Sequence, residues 1–335
     1  MCQYSSDDGF ASDWHLVHLG GRAVGGAALV FTEASAVLPE GRNSPADLGI
    51  WKDEHIEPLA RVARFIKSQG AVPGTQLAHA GRKASTDKPW LGGKPLSPAQ
   101  GGWTPIYAPS AIPFNDGYQT PEALSIAGIA RIVDSFALAA KRAFDAGFEV
   151  LEIHGAHGYL GTQFLSPISN HRTDEYGGSF ENRARFVREI VSAVRRVWPQ
   201  RFPLFLRISA TEWTEGGWNG DDSVALAKMV HPLGVDLMDC SSGGNVATAK
   251  IPVGAGYQVP FARQIRQQAN VPSGAVGMIT EPSQADQIIR NGEADLVIMA
   301  REFLHDPYWP LHAAPEVHQE IAWPKQYERA RPTHK

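Results

Sequence analysis

The chain has 335 residues, 43% hydrophobic and 20% charged, a balance that buries a sizeable core and excludes global disorder. Thirty-one Lys and Arg oppose 35 Asp and Glu, for a formal charge of −4, which leaves no broad basic face for nucleic acid. The apolar stretch 23–31 is broken by glycines and too short to span a bilayer. No basic region followed by an apolar core opens the chain, and two cysteines, Cys2 and Cys240, supply neither a disulfide framework nor an iron–sulfur cluster. The expectation is a soluble, cytoplasmic globular protein that binds neither nucleic acid nor membrane.

In chain order, hydrophobic periodicity predicts a helix over 15–24, a buried strand over 27–31, and an amphipathic helix over 54–69 that stops at Gly70. A weaker strand spans 71–77. Residues 83–120, rich in Pro, Gly and Trp, then interrupt the rhythm. A helix over 126–146 ends at Gly147 and leads to a strand over 149–153; a helix over 181–198 is stopped by Pro199, before a strand over 204–208. The pattern continues with helix 223–230, strand 236–239, helix 261–269, strand 272–276, helix 283–290, strand 296–299 and a looser helix over 307–320. Near-continuous apolar strands alternating with helices point to a parallel sheet covered by helices. Eight helices but seven strands fit either a doubly wound open sheet or an eight-stranded barrel without its first strand. No composition shift divides the chain. The 83–120 excursion, with Trp90, Trp103, Ile106 and Tyr107, reads as an elaborated loop at a strand's carboxyl end, where barrel chemistry sits.

Polar groups cluster just after the strands. In Ile153-His154-Gly155-Ala156-His157-Gly158-Tyr159-Leu160, two imidazoles three residues apart can converge on one carbonyl oxygen or oxyanion. Tyr159 adds a weakly acidic hydroxyl suited to proton donation. The same two histidines leave open a metal-dependent barrel hydrolase, although the helical His pair with Glu and a clear third ligand are missing. Gln76 can both donate to and accept from a heteroaromatic ring. Arg207 lies inside a strand, where an unpaired guanidinium is costly, so it requires either an internal carboxylate or an anionic ligand. Three small-residue turns follow late strands: Ser241-Ser242-Gly243-Gly244, Ala275-Val276-Gly277-Met278 and Ala300-Arg301. Such turns with a nearby cation form the usual phosphate cradle of a barrel. Cys2, freed by removal of Met1, would be an N-terminal nucleophile, but that chemistry belongs to folds with long antiparallel strands.

MCQYSS, FTEASAV, QLAHAGRKAS, IHGAHGYL, QFLSPISNHRTDEYGGSFENR, AVGMIT and the closing QYER together resemble the Old Yellow Enzyme family, in its thermophilic-like and xenobiotic reductase A branch. The resemblance implies a single-domain α/β (β/α)8 TIM barrel over residues 1–320 that holds FMN noncovalently. It also implies NADPH or NADH as hydride donor and activated alkenes as substrates. His154 and His157 match the pair that holds the substrate's oxygen, and Tyr159 matches the proton donor. Gln76 and Arg207 match flavin-ring contacts, Ala34 a backbone wall beside the flavin, and Ser242 and Gly243 a turn along it. Gly277, Met278, Ala300 and Arg301 match the phosphate side. Cys2 resembles a cysteine that tunes the flavin, and Tyr4 a second substrate contact. Arg329 resembles an arginine offered into a neighbour's site, so the tail 321–335 is expected at an interface of a homodimer or a dimer-based homotetramer. The family carries a first barrel strand ahead of this cysteine, in agreement with the count of seven strands. A truncated flavin-binding protein without activity is the matching alternative.

Overall fold

The computed structural model describes residues 1–332. Helix α1 (Asp13–Val24) leads into β1 (Leu29–Ala36), followed by α2 (Ile56–Ser68) and β2 (Val72–Ala78). After the long excursion, a two-residue parallel pair, β3 (Tyr107–Ala108) and β4 (Glu122–Ala123), precedes α3 (Ile126–Asp145) and β5 (Val150–Gly155). The short α4 (Leu160–Leu165), α5 (Phe180–Val197), β6 (Leu204–Ser209), α6 (Gly220–Val230) and β7 (Leu237–Ser241) come next. The series closes with α7 (Val259–Ala269), β8 (Ser273–Ala275), α8 (Pro282–Arg290), β9 (Leu296–Val297), α9 (Arg301–His305) and α10 (Trp309–Glu316).

Seven strands form one parallel sheet in the order β1-β2-β5-β6-β7-β8-β9, curled as in a TIM barrel. Successive strand residues face opposite sides, and the sequence uses both faces. Leu151, Ile153, Leu204, Leu206, Ile208, Met238 and Cys240 join the helix residues Ile129, Phe136, Val187 and Val194 in the main core. The alternate residues Val150, Phe205 and Leu237 form an inner apolar cluster with Leu29, Phe31 and Leu296. Two residues further along the same strands stand Glu152, Arg207 and Asp239, then His154, Ser209 and Ser241. The inner face therefore changes from apolar to charged to polar as the strands approach their carboxyl ends. Helix starts are capped locally: the Ser125 hydroxyl accepts from the Gly128 amide, Ser179 from Asn182, and Asn219 from Asp221 and Asp222.

The seven expected strands are present, and β1 runs beyond the expected 27–31. An apolar count stops at Phe31 because Thr32 and Glu33 are polar, yet both are buried. Thr32 Oγ1 lies 2.8 Å from Thr75 Oγ1, and a Glu33 oxygen lies 3.2 Å from His15 Nε2. Helix α4 was not expected from periodicity; its six residues are too few to display a period. The looser helix over 307–320 is shorter, as α10, with α9 ahead of it. In the tail, Lys325–Ala330 forms a 3-10 helix with no buried residue, and residues 333–335 lie outside the described residues. β1 and β9 end the sheet without pairing to each other. A cavity of about 420 Å³ lies between them, lined by Leu19, Leu29, Phe31, Val297 and Phe303 among others, and it reaches Gln76, Glu152 and Arg207.

Candidate active site

At the carboxyl ends of the strands opens a cavity of about 900 Å³. Thirteen of the residues singled out from sequence line it: Cys2, Tyr4, Ala34, Gln76, His154, His157, Tyr159, Arg207, Ser242, Gly277, Met278, Ala300 and Arg301. Gly243 and Arg329 are not in the lining. Gly243 lies one residue past the wall, where its carbonyl accepts from Ser209 Oγ at 2.7 Å. Arg329 is exposed in the tail of its own chain. Of the 83–120 excursion, Pro89 and Trp90 reach the cavity. Trp90 meets the Tyr4 ring edge-on at 5.6 Å, whereas Ile106 is buried away from it.

The floor is the charged layer. Register places Gln76 opposite Ala34 and Glu152, and Arg207 opposite His154 and Asp239. Gln76 Nε2 donates to Glu152 Oε1 at 3.2 Å, which leaves Gln76 Oε1 free to turn toward a ring. Arg207 Nε lies 3.2 Å from Asp239 Oδ2, so the arginine has the internal carboxylate that its position demanded while also lining the cavity. Burial and the neighbouring Asp239 push the Glu152 carboxyl well above the usual range.

Above the floor, the His154 and His157 rings are 5.1 Å apart and the Tyr159 ring is 5.0 Å from His154. This compact triad depends on a tight turn. His157 has φ +59°, with its amide donating to Ser209 Oγ at 2.8 Å and its carbonyl accepting from Lys83 Nζ at 2.9 Å. Gly158 has φ +73°, and a Cβ there would stand 2.2 Å from the Gly244 carbonyl oxygen; only glycine allows the two loops to press together. Burial first, then the Arg207 charge, holds both imidazoles well below the ordinary histidine range, so they are neutral hydrogen-bonding groups. Burial, with Cys2 and Asp47 nearby, raises the Tyr159 hydroxyl well above its ordinary value and keeps its proton in place. The Cys2 thiol is also raised, by burial and by Asp47 and Glu33, so it is a thiol rather than a thiolate, contrary to what a nucleophile requires.

At the far end Gly277, φ +117°, brings its backbone to the wall; a Cβ would stand 2.6 Å from Gln258 Nε2. The exposed Arg301 extends beside it, its NH2 near Met278 Sδ at 3.7 Å. The residues present thus fit a flavin mononucleotide: an amide and a guanidinium at the floor for the ring, and a bare backbone turn with a cation for the phosphate. Sequence reasoning assigned no role to Lys83 or Gln258, and placed Ser241 in a phosphate-cradle turn, whereas its hydroxyl lies 2.7 Å from His157 Nε2. Lys83 sat inside the QLAHAGRKAS motif, but Gln258 precedes α7 without any pattern to mark it. Among the described residues, no three His, Cys, Asp or Glu side chains gather as metal ligands, and no helix is long and apolar enough to cross a membrane.

The model of the NADH:flavin oxidoreductase / NADH oxidase family matches residues 1–320. An NADPH dehydrogenase of Geobacillus sp. (strain WCH70) is 50% identical over 331 residues, 98% of this chain and 92% of its own. One of Bacillus subtilis (strain 168) is 49% identical with the same coverage. Among solved structures, morphinone reductase matches with a TM-score of 0.78 at 27% identity, over 97% of this chain and 86% of its own. A 2-naphthoyl-CoA reductase complex matches with a TM-score of 0.83 at 25% identity, over 93% of this chain but 49% of its own. The chain belongs to the NADH:flavin oxidoreductase / NADH oxidase family, the Old Yellow Enzyme family that its motifs resemble, whose members are FMN-dependent oxidoreductases that use reduced nicotinamide.

Proposed function

We propose that this oxidoreductase is an ene-reductase, which saturates C=C bonds conjugated to a carbonyl or nitro group: α,β-unsaturated carbonyl compounds, maleimides and nitroalkenes. The observation that carries the reading is the convergence of two neutral imidazoles and one protonated phenol over a floor made by Gln76 and Arg207. FMN, when bound, would supply hydride chemistry between a reduced nicotinamide and an activated alkene. Gln76, Arg207 and the Ala34 backbone would hold the ring, Ser242 and Gly243 its flank, and Gly277, Met278, Ala300 and Arg301 the phosphate. His154 and His157 hold the substrate's oxygen and stabilise the charge that develops there, an effect of about 3 kcal/mol per donor. Tyr159 delivers its proton to the α-carbon. Cys2, a neutral thiol in the cavity wall, would lie beside the flavin, and Tyr4 with Trp90 narrows the approach. Morphinone reductase, a structural relative, has been solved in complex with tetrahydroNAD, which supports a nicotinamide as a ligand of this fold. For assembly, residues 1–320 make the barrel and the exposed tail from 321 packs in a homodimer or dimer-based tetramer, with Arg329 reaching the neighbour's site.

The test is anaerobic. Reduced holoenzyme is mixed with cyclohexenone, N-methylmaleimide or a nitroalkene, and the flavin spectrum is followed. Reoxidation matched by saturated product is expected; flavin that stays reduced with all three overturns the proposal.

A further inference from the structure

The segment Met1–Tyr4 lies between two cavities. Cys2 and Tyr4 line the large one at the strands' carboxyl ends, Gln3 lines the smaller one between β1 and β9, and Met1 lines both. Tyr4 has φ +51°, a conformation that an aromatic residue keeps only where its surroundings hold it. The side-chain ties of Gln3, from Trp14 Nε1 at 3.2 Å and to the Met1 carbonyl at 2.9 Å, are exposed to water and hold little. A better-shielded tie runs inward, where the Gln3 amide donates to Glu33 Oε2. Glu33 meets it from a bulge. Phe31 pairs with Gly74 and Ala34 with Gln76, so β1 carries one residue more than β2 across Thr32–Glu33, a device that re-aims a strand side chain.

The other oxygen, Glu33 Oε1, lies 3.2 Å from His15 Nε2, with both side chains only 2% exposed. The Ser12 amide donates to His15 Nδ1 at 2.9 Å. An amide can only donate, so Nδ1 is bare and Nε2 carries the ring's proton. Two N–H donors, one from Gln3 and one from His15, thus aim at the two oxygens of a single side chain. A carboxylate satisfies both, whereas a glutamine would turn its own NH2 toward one of them.

We propose that Glu33, braced by His15, is a positioning residue for the active site: it anchors the Met1–Tyr4 segment as the wall between the two cavities and so presents Cys2 and Tyr4 to the larger one. Without the anchor the strained turn at Tyr4 relaxes, both side chains leave the wall, and the cavities join. The anchoring stands on its own geometry; what Cys2 and Tyr4 do in the cavity rests on the ene-reductase reading.

The test is alkylation of the oxidised holoenzyme by iodoacetamide with excess FMN, followed by peptide mass spectrometry. The chain has two cysteines, and the fully buried Cys240 is the internal control for general unfolding. Glu33→Gln misplaces one donor, and Gln3→Pro removes the amide hydrogen while leaving Glu33 and His15 intact. Each should speed Cys2 labelling about 10- to 100-fold, the effect of one hydrogen bond to a charged group, with Cys240 unlabelled. KM for cyclohexenone should rise in both, because Tyr4 moves with the segment. Parental Cys2 labelling in either variant, a rise shared by Cys240, or a parental KM in both overturns the inference. If Cys2 is released as stated but the parent reduces no alkene, the functional reading fails and the anchoring role of Glu33 stands.

Discussion

Replacing Arg207 with Met removes the cation from the layer that also holds Glu152 and Asp239. The arginine side chain is 18% exposed and that of Asp239 1%, with 3.2 Å between Arg207 Nε and Asp239 Oδ2. Neither Asp239 oxygen makes a hydrogen bond, nor does Glu152 Oε2, so the charge of Arg207 is their main compensation. Removing one partner of a buried pair costs about 3–5 kcal/mol. Unfolding entropy of ~2.1 cal/mol/K per residue gives about 0.7 kcal/mol/K for a chain of this length, so Tm should fall by about 4–7 °C. Adding Asp239→Asn removes the stranded charge and should recover at least half of that loss. The sign of the pH dependence follows from Glu152. Its folded pKa is raised above the unfolded value of about 4.3, chiefly by burial and by Asp239, so the folded state binds more protons and stability falls as pH rises above that value. Loss of Arg207 enlarges this effect, so the deficit should be greater at pH 8 than at pH 5. The assay is a set of thermal melts of the three proteins at both pH values. An Arg207→Met protein with parental Tm, or a loss that Asp239→Asn leaves untouched, refutes the reasoning.

Tyr159→Phe should slow alkene reduction by about 10²- to 10⁴-fold while leaving flavin reduction by NADPH unchanged, as separated half-reactions in a stopped-flow instrument will show. Because burial holds the phenol proton, the parent should show no tyrosine-type fall in rate up to about pH 10. Asp47, raised to about 7 by burial and by Glu33 against the help of the Asn43 amide, makes the folded state the better proton binder between about pH 4 and pH 7, so stability falls across that window. Urea midpoints of Asp47→Asn should lack that slope and exceed the parent's at pH 8. Arg329→Ala should raise KM for the alkene and leave FMN content unchanged; equal KM removes any role for the tail in a neighbour's site.

The sequence by itself determined the order of elements, because parallel strands buried on both faces read as unbroken apolar runs between amphipathic helices with plain caps and stops. It also marked His154, His157, Tyr159, Gln76 and Arg207, since polar groups at the ends of such runs stand out against their surroundings. It began β1 two residues early and ended it five residues short, where the polar pair Thr32–Glu33 hides an extended strand whose partners, Thr75 and His15, are remote in the chain. Tertiary structure alone decided which carboxylate answers Arg207, since Asp239 meets it through the register of two strands and no local pattern links them. It alone brought Ser241 and Gln258 behind His157, across 84 and 101 positions of the chain. Hydrogen bonds between remote loops leave no periodic trace in a sequence, yet here they hold the His157 ring in place beside the cavity.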